Sequence, residues 1–224
     1  MNIAAFIDHT ALKSTTTVKD VDTICREAEL YGFAAICIPP VYVQHAANKL
    51  KETKVKLATV IGFPFGFTYI NVKMEESMQA INDGADELDM VINFIALKNG
   101  DYTYLENEVG AILEIVKKEN VTLKIIIESG VLTEREIIKC CEIYGAFDID
   151  FLKTSTGYAE KGASIEAVQL MRHHLPSHIQ VKASGGIKTF DFAKQLIEAG
   201  ATRLGCSASV AIVKEEGYEL GVRS

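Results

Sequence analysis

An eightfold rhythm limits what this chain can fold into more than any other feature. Short apolar runs stand at 5–8, 34–38, 57–61, 87–91, 123–127, 151–153, 179–183 and 203–206. Between them, 18–31, 41–51, 72–83, 104–119, 134–144, 165–174 and 190–199 carry apolar residues at helical spacing, and a last helix begins near Ser207. Runs of this length bounded by turn residues read as buried strands, and the stretches between them as helices that cover them. Three of the helices end at glycine (Gly32, Gly84, Gly200), which readily takes the left-handed conformation after a helix C-terminus. Thr133 stands where an N-cap is needed, ahead of Glu134 and Glu136. Eight such repeats in 224 residues predict an α/β fold, a (β/α)8 TIM barrel, with 1–224 as a single domain. The alternative, an open doubly wound sheet, would use fewer strands around one ligand crevice.

A barrel of this kind places its chemistry at the C-terminal ends of the strands. The residues that an inert strand would not carry fall there: Asp8 after strand one, Cys37, Gly62, Asp89, Glu128, Lys153, Lys182 and Ser207. Lys153 ends the run Ile149-Asp150-Phe151-Leu152-Lys153 and precedes the polar turn Thr154-Ser155-Thr156-Gly157. Lysine is rarely buried, because desolvating its charge is costly. One function rewards that burial: a desolvated ammonium loses its proton more easily, and the neutral amine attacks a carbonyl to form a Schiff base. Lys182 repeats the pattern in Ile179-Gln180-Val181-Lys182-Ala183, and a second cation nearby depresses the first further. Taken alone, Lys153 reads better as a strand-end side chain that snorkels to water; the recurrence of the pattern and the phosphate-like loops nearby weigh against that.

Gly185-Gly186 follows the Lys182 strand, and Gly205-Cys206-Ser207 follows one repeat later. Loops after strands seven and eight of a barrel commonly bind phosphate through backbone N–H groups, and glycine lets that backbone approach an anion. Asp89 shares a strand face with Glu87 and Val91; it is either a structural ion-pair partner of the lysines or a proton carrier between them. Asp8 reads as a substrate contact or, more simply, as the cap of the first helix. Cys37 takes no catalytic role here. Glu128-Ser129-Gly130 reads as a turn with a supporting carboxylate, and Gly62-Phe63-Pro64-Phe65-Gly66 as a shaped turn.

Composition narrows the partners. Net charge is −7 and no basic run exceeds two residues, which argues against nucleic acid. No apolar stretch approaches the ~20 residues of a membrane helix, and the first residues lack a signal-peptide pattern. Five irregularly spaced cysteines suit a reduced, cytoplasmic protein without a disulfide framework. No Cys/His spacing matches a metal site.

Taken in order, several segments resemble the deoxyribose-phosphate aldolase family of class I, Schiff-base aldolases. They are Ile7-Asp8-His9-Thr10, Ile36-Cys37-Ile38-Pro39, Val60-Ile61-Gly62-Phe63-Pro64, Gly84 through Asn93, Glu128-Ser129-Gly130, Phe151 through Gly157, Val181 through Ile187 and Gly205-Cys206-Ser207. The resemblance implies Lys153 as the Schiff-base lysine, Lys182 as the second active-site lysine and Asp89 as the proton-relay carboxylate. It implies a substrate contact at Asp8, to which Cys37 and Thr156 are joined as substrate-binding candidates, and phosphate contacts at Gly157, Gly185, Gly186, Gly205 and Ser207. It further implies no metal or organic cofactor, sugar phosphate and aldehyde as small-molecule partners, and reversible cleavage of 2-deoxy-D-ribose 5-phosphate to D-glyceraldehyde 3-phosphate and acetaldehyde. Barrels of this size often pair through outer helices, so a homodimer is expected. The chain departs from the pattern at Phe67-Thr68-Tyr69-Ile70-Asn71, where a small Thr-rich stretch is usual. It departs again at Tyr158, where some members carry a lysine, and in the tail around Tyr218. Residues alone leave two alternatives: another phosphate-handling barrel enzyme, such as a different class I aldolase or an isomerase, and a non-catalytic sugar-phosphate-binding barrel.

Overall fold

The computed structural model describes residues 1–219. Eight parallel strands close into a barrel in chain order: β1 (Ile7–Thr10), β2 (Ala35–Ile38), β3 (Lys56–Ile61), β4 (Glu87–Val91), β5 (Thr122–Ile126), β6 (Phe151–Lys153), β7 (Gln180–Ser184) and β8 (Arg203–Cys206), which pairs back onto β1. The helices are α1 (Val18–Tyr31), α2 (Val43–Leu50), α3 (Ile70–Asn82), α4 (Phe94–Lys98), α5 (Tyr102–Glu119), α6 (Glu134–Gly145), α7 (Ile165–His174), α8 (Phe190–Glu198) and α9 (Ser209–Glu219). Capping boxes start two of them: Thr17 with Asp20 on α1, and Thr133 with Glu136 on α6.

Strand alternation divides the molecule into an inside and an outside. Leu88 and Met90, Leu123 and Ile125, Leu152, Val181 and Leu204 join the core cluster shared with the helices. Their neighbours Glu87, Asp89, Lys124, Lys153, Lys182 and Arg203 meet one another inside the barrel. Full burial of one Leu or Ile contributes ~1.5–3 kcal/mol, so the layer between sheet and helices carries the fold and leaves the interior free for other chemistry.

Several boundaries move from their predicted positions. Residues Ile3–Phe6 form a 3-10 turn, so β1 starts at Ile7 and Asp8 lies within the strand rather than after it. Ile3 is fully buried, and the Glu216 carboxylate accepts its N–H, which fixes this turn against α9. The predicted helix 41–51 begins as a separate turn, Pro40–Tyr42, because proline fits a first turn and offers no N–H. The short α4, capped by Asn93, has too few residues for its periodicity to show. Gly66 (φ 72) is obligatory: a Cβ there would fall 1.8 Å from the Ile92 carbonyl oxygen, so the turn after β3 packs backbone to backbone on the end of β4.

Candidate active site

Register brings the two predicted lysines together. Lys153 pairs with Lys182 across β6 and β7, and Asp89 pairs with Lys124 across β4 and β5. The Nζ atoms of Lys153 and Lys182 each lie 2.7 Å from the same oxygen, Asp89 Oδ2, while Lys124 lies 2.7 Å from Oδ1. Lys182 also pairs with Asp8 Oδ2, whose other oxygen takes Arg203 at 2.6 Å. Arg203 and Lys124 both reach Glu87.

Four cations thus face three carboxylates: Lys124, Lys153, Lys182 and Arg203 against Asp8, Glu87 and Asp89. With one amine neutral, the charges match. Burial favours the uncharged form of all four cations, but only Lys153 moves that way. Burial lowers its pKa, the positive charge of Lys182 helps, and Asp89 only partly opposes them. For Lys182 burial is overcome by Asp8 and Asp89, and the amine is held firmly charged. Lys124 and Arg203 also move up, because their carboxylate neighbours outweigh burial. Burial would raise both aspartates, yet the surrounding cations prevail: Asp8 sits at about 2 and Asp89 well below the carboxylate range.

Above this cluster opens a cavity of about 930 Å³. Lys153, Thr156, Gly157, Gly185, Gly186, Gly205 and Ser207 line it, so the lysine and every glycine and serine expected at a phosphate share one space. Gly185 (φ 86) lies against Gly157 and Gly162, where a Cβ on Gly162 would meet the Gly185 carbonyl oxygen at 2.2 Å. Asp8, Cys37, Asp89 and Lys182 are fully buried and are not among the lining residues. Asp8 is therefore no helix cap, the simpler sequence reading. Thr17 caps α1, and Asp8 is pinned inside the barrel because β1 begins two residues later than predicted. Cys37 forms a small apolar cluster with Ala58 and Val60, flanked by Leu12 and Phe63, and burial pushes its thiol up to about 11.

Comparison with known proteins identifies the family. Residues 2–215 match the DeoC/LacD family aldolase profile. The chain belongs to the DeoC/LacD family of aldolases. Among aldolases with curated names, the deoxyribose-phosphate aldolase of Thermococcus gammatolerans is 47% identical over 216 residues, covering 96% of each chain. That of Caldanaerobacter subterraneus subsp. tengcongensis is 46% identical, over 96% of this chain and 94% of its own. A tetrameric deoxyribose phosphate aldolase from Aeropyrum pernix superposes with a TM-score of 0.89 at 31% identity, over 97% of this chain and 91% of its own.

Within this aldolase, sequence reasoning gave no role to Lys124, Glu87 or Arg203. The signal for Lys124 was present, since it interrupts Leu123-Lys124-Ile125-Ile126-Ile127 as Lys182 interrupts its own run. Arg203 opens its strand, where an exposed arginine is unremarkable. Of the departures, Tyr158 lies across the cavity rim: its hydroxyl donates to the Leu12 carbonyl at 2.7 Å and its ring meets Phe63 edge-on at 5.4 Å. Phe67 and Tyr69 are exposed, and Phe67 stacks on Phe65. The Tyr218 side chain lies outside the described residues.

Proposed function

We propose that this aldolase cleaves 2-deoxy-D-ribose 5-phosphate reversibly to D-glyceraldehyde 3-phosphate and acetaldehyde through a Schiff base on Lys153. The observation that carries the reading is geometric: two neighbouring amines share one carboxylate oxygen at 2.7 Å, and of the two only Lys153 lines the cavity. Lys153 is released toward neutrality at the cavity floor, and Lys182 is held as a cation beneath it. The substrate is supported by relatives of that name at 46–47% identity across nearly the whole chain.

Neutral Lys153 attacks the C1 aldehyde. Asp89 Oδ2, shared by both amines, passes protons between them and water while the carbinolamine loses its hydroxyl. Asp89 holds a proton only in transit, since the lysines keep it ionised. The protonated imine withdraws electrons from C2. Acetaldehyde carries C1 and C2, so the bond that breaks is C2–C3. Glyceraldehyde phosphate departs, and the enamine left on Lys153 is protonated and hydrolysed. Asp8 holds Lys182 and Arg203, Thr156 lines the space beside the imine, and Cys37 packs with Ala58 and Val60 outside the cavity. The glycines at 157, 185, 186 and 205, with Ser207, grip the phosphate, which supplies binding energy remote from the reacting bond.

Borohydride added with acetaldehyde attaches a two-carbon group to the Lys153 peptide; attachment at Lys182 reverses the two roles. Five buried, unpaired cysteines support a reducing, cytoplasmic setting. Among the described residues no helix is long and apolar enough to cross a membrane. Exposed apolar side chains at Phe65, Phe67, Tyr69 and Val72, the first two stacked on each other, support self-association as a homodimer. Sedimentation distinguishes that from the tetramer of the Aeropyrum pernix relative.

A further inference from the structure

One buried carboxylate at the mouth is not used by the steps above. Glu128 follows β5 and holds a left-handed backbone (φ 52, ψ 57). Non-glycine residues rarely adopt it, and it persists where the surroundings impose it, often at working sites. The kink occurs while β5 is still bonded to its neighbour: Ile127 N–H donates to the Lys153 carbonyl at 3.0 Å and Ser129 N–H to that of Thr154 at 2.7 Å. The result is a side chain aimed into the turn that follows Lys153. There Glu128 takes both donors of one residue, the Thr156 backbone N–H and the Thr156 hydroxyl.

Donor counting then fixes what Thr156 can offer. A threonine hydroxyl has one proton and two lone pairs. The proton goes to Glu128, and one lone pair accepts Tyr158 N–H at 3.0 Å. Thr156 also lines the cavity beside Lys153. Its remaining capacity toward a ligand is therefore as an acceptor, and the group it suits is a substrate hydroxyl.

We propose that Glu128, acting through Thr156 Oγ1, takes up the proton that leaves the substrate's C3 hydroxyl as the C2–C3 bond breaks. This rests on the Schiff-base reading above. The O3–H bond breaks and a new O–H forms on Thr156; the former Thr156 proton passes to Glu128. The O3 electrons form the C3 carbonyl, and the C2–C3 pair moves through C1 to neutralise the iminium nitrogen. In the condensation direction the same protons run back. Asp89 is a poor base for this step because three lysines surround it. Glu128 is a better one: burial raises its pKa, and its bonds to Thr156 and the Lys153 charge only partly oppose that. The barrel thus divides its proton traffic, with Asp89 and Lys182 beneath the imine and Thr156 and Glu128 beside it. Glu128 is a positioning residue in this scheme, and Thr156 the group that touches substrate.

The test separates the cleavage step from imine chemistry. Acetaldehyde in heavy water exchanges its methyl protons through imine and enamine alone, with no C–C bond broken. In Glu128→Gln, cleavage of deoxyribose phosphate is expected to fall ~10²-fold, the scale of a lost general base, while exchange stays within about threefold of wild type. Thr156→Val lowers cleavage as well, and Thr156→Ser, which keeps the hydroxyl, restores it. Equal losses of exchange and cleavage in Glu128→Gln, or unchanged cleavage, overturn the proposal. Absence of exchange in the wild-type protein instead overturns the Schiff-base reading on which it rests.

Discussion

The two faces of the sheet follow opposite rules. Facing the helices, alternate strand residues are Leu, Ile, Val and Met in a continuous apolar layer. Facing the axis, the same strands carry seven charged side chains, and the buried apolar residues that cluster separately from the main core are Cys37, Ala58 and Val60. Barrel interiors are usually filled with branched apolar side chains. Here the outer layer makes the fold stable enough to bear a desolvated ionic interior, and within it Lys153 is the one cation that burial moves toward its neutral form. Buried ion networks contribute little net stability yet cost several kcal/mol when one partner is lost. Substitutions on the two faces should therefore fail in different ways.

The sharpest separation is expected at Lys153. Lys153→Ala should lose more than ~10³-fold of turnover if the covalent route holds, yet unfold at close to the wild-type denaturant midpoint, since three cations and three carboxylates remain. Retained turnover would break the assignment. Next comes Lys182→Met, which leaves Asp8 and Asp89 short of a counter-charge. It should cost ~3–5 kcal/mol in denaturant unfolding. It should also move borohydride trapping of Lys153 to higher pH, because the Lys182 charge that lowers its pKa is gone and Asp89 is left to it. A profile that does not move would show that burial alone sets the reactive amine.

On the outer face, Leu88→Ala should destabilise by ~2–5 kcal/mol with kcat little changed at temperatures where the variant is folded. A selective loss of kcat there would blur the contrast. The smallest effect concerns acid. Asp8 is depressed from an ordinary 3.8 to about 2, so its contribution to stability is complete above the unfolded value and disappears as pH falls through the folded one. Asp8→Asn should be less stable at pH 7 and should lose less stability between pH 5 and pH 2 than wild type. Parallel curves would place the acid sensitivity elsewhere in the network.

How much of this could be read beforehand follows from the same contrast. The outer face is periodic, and periodicity placed all eight strands, with β1 displaced by two residues because the apolar Ala5 and Phe6 imitate a strand while closing a 3-10 turn. The inner face is aperiodic. Lys153 and Lys182 stood out because charges interrupt their apolar runs, and Lys124 carried that same mark. Partners were not legible: nothing near Asp8 in the chain indicates that it meets Lys182 and Arg203, 174 and 195 residues away. The twist at Glu128 was invisible for another reason, since glutamate in a left-handed backbone leaves no trace in composition.

The match of three positive to three negative side chains around Lys153, the one amine that burial moves toward its uncharged form, has a consequence for the proposed covalent intermediate. On the proposed route condensation turns Lys153 into an iminium, a cation that cannot shed its charge into solvent at that depth. Parity inside the barrel is then broken, and forming the uncharged enamine restores it. On the proposed route, electroneutrality inside the barrel thereby favours carbon–carbon scission over an idle, charged adduct.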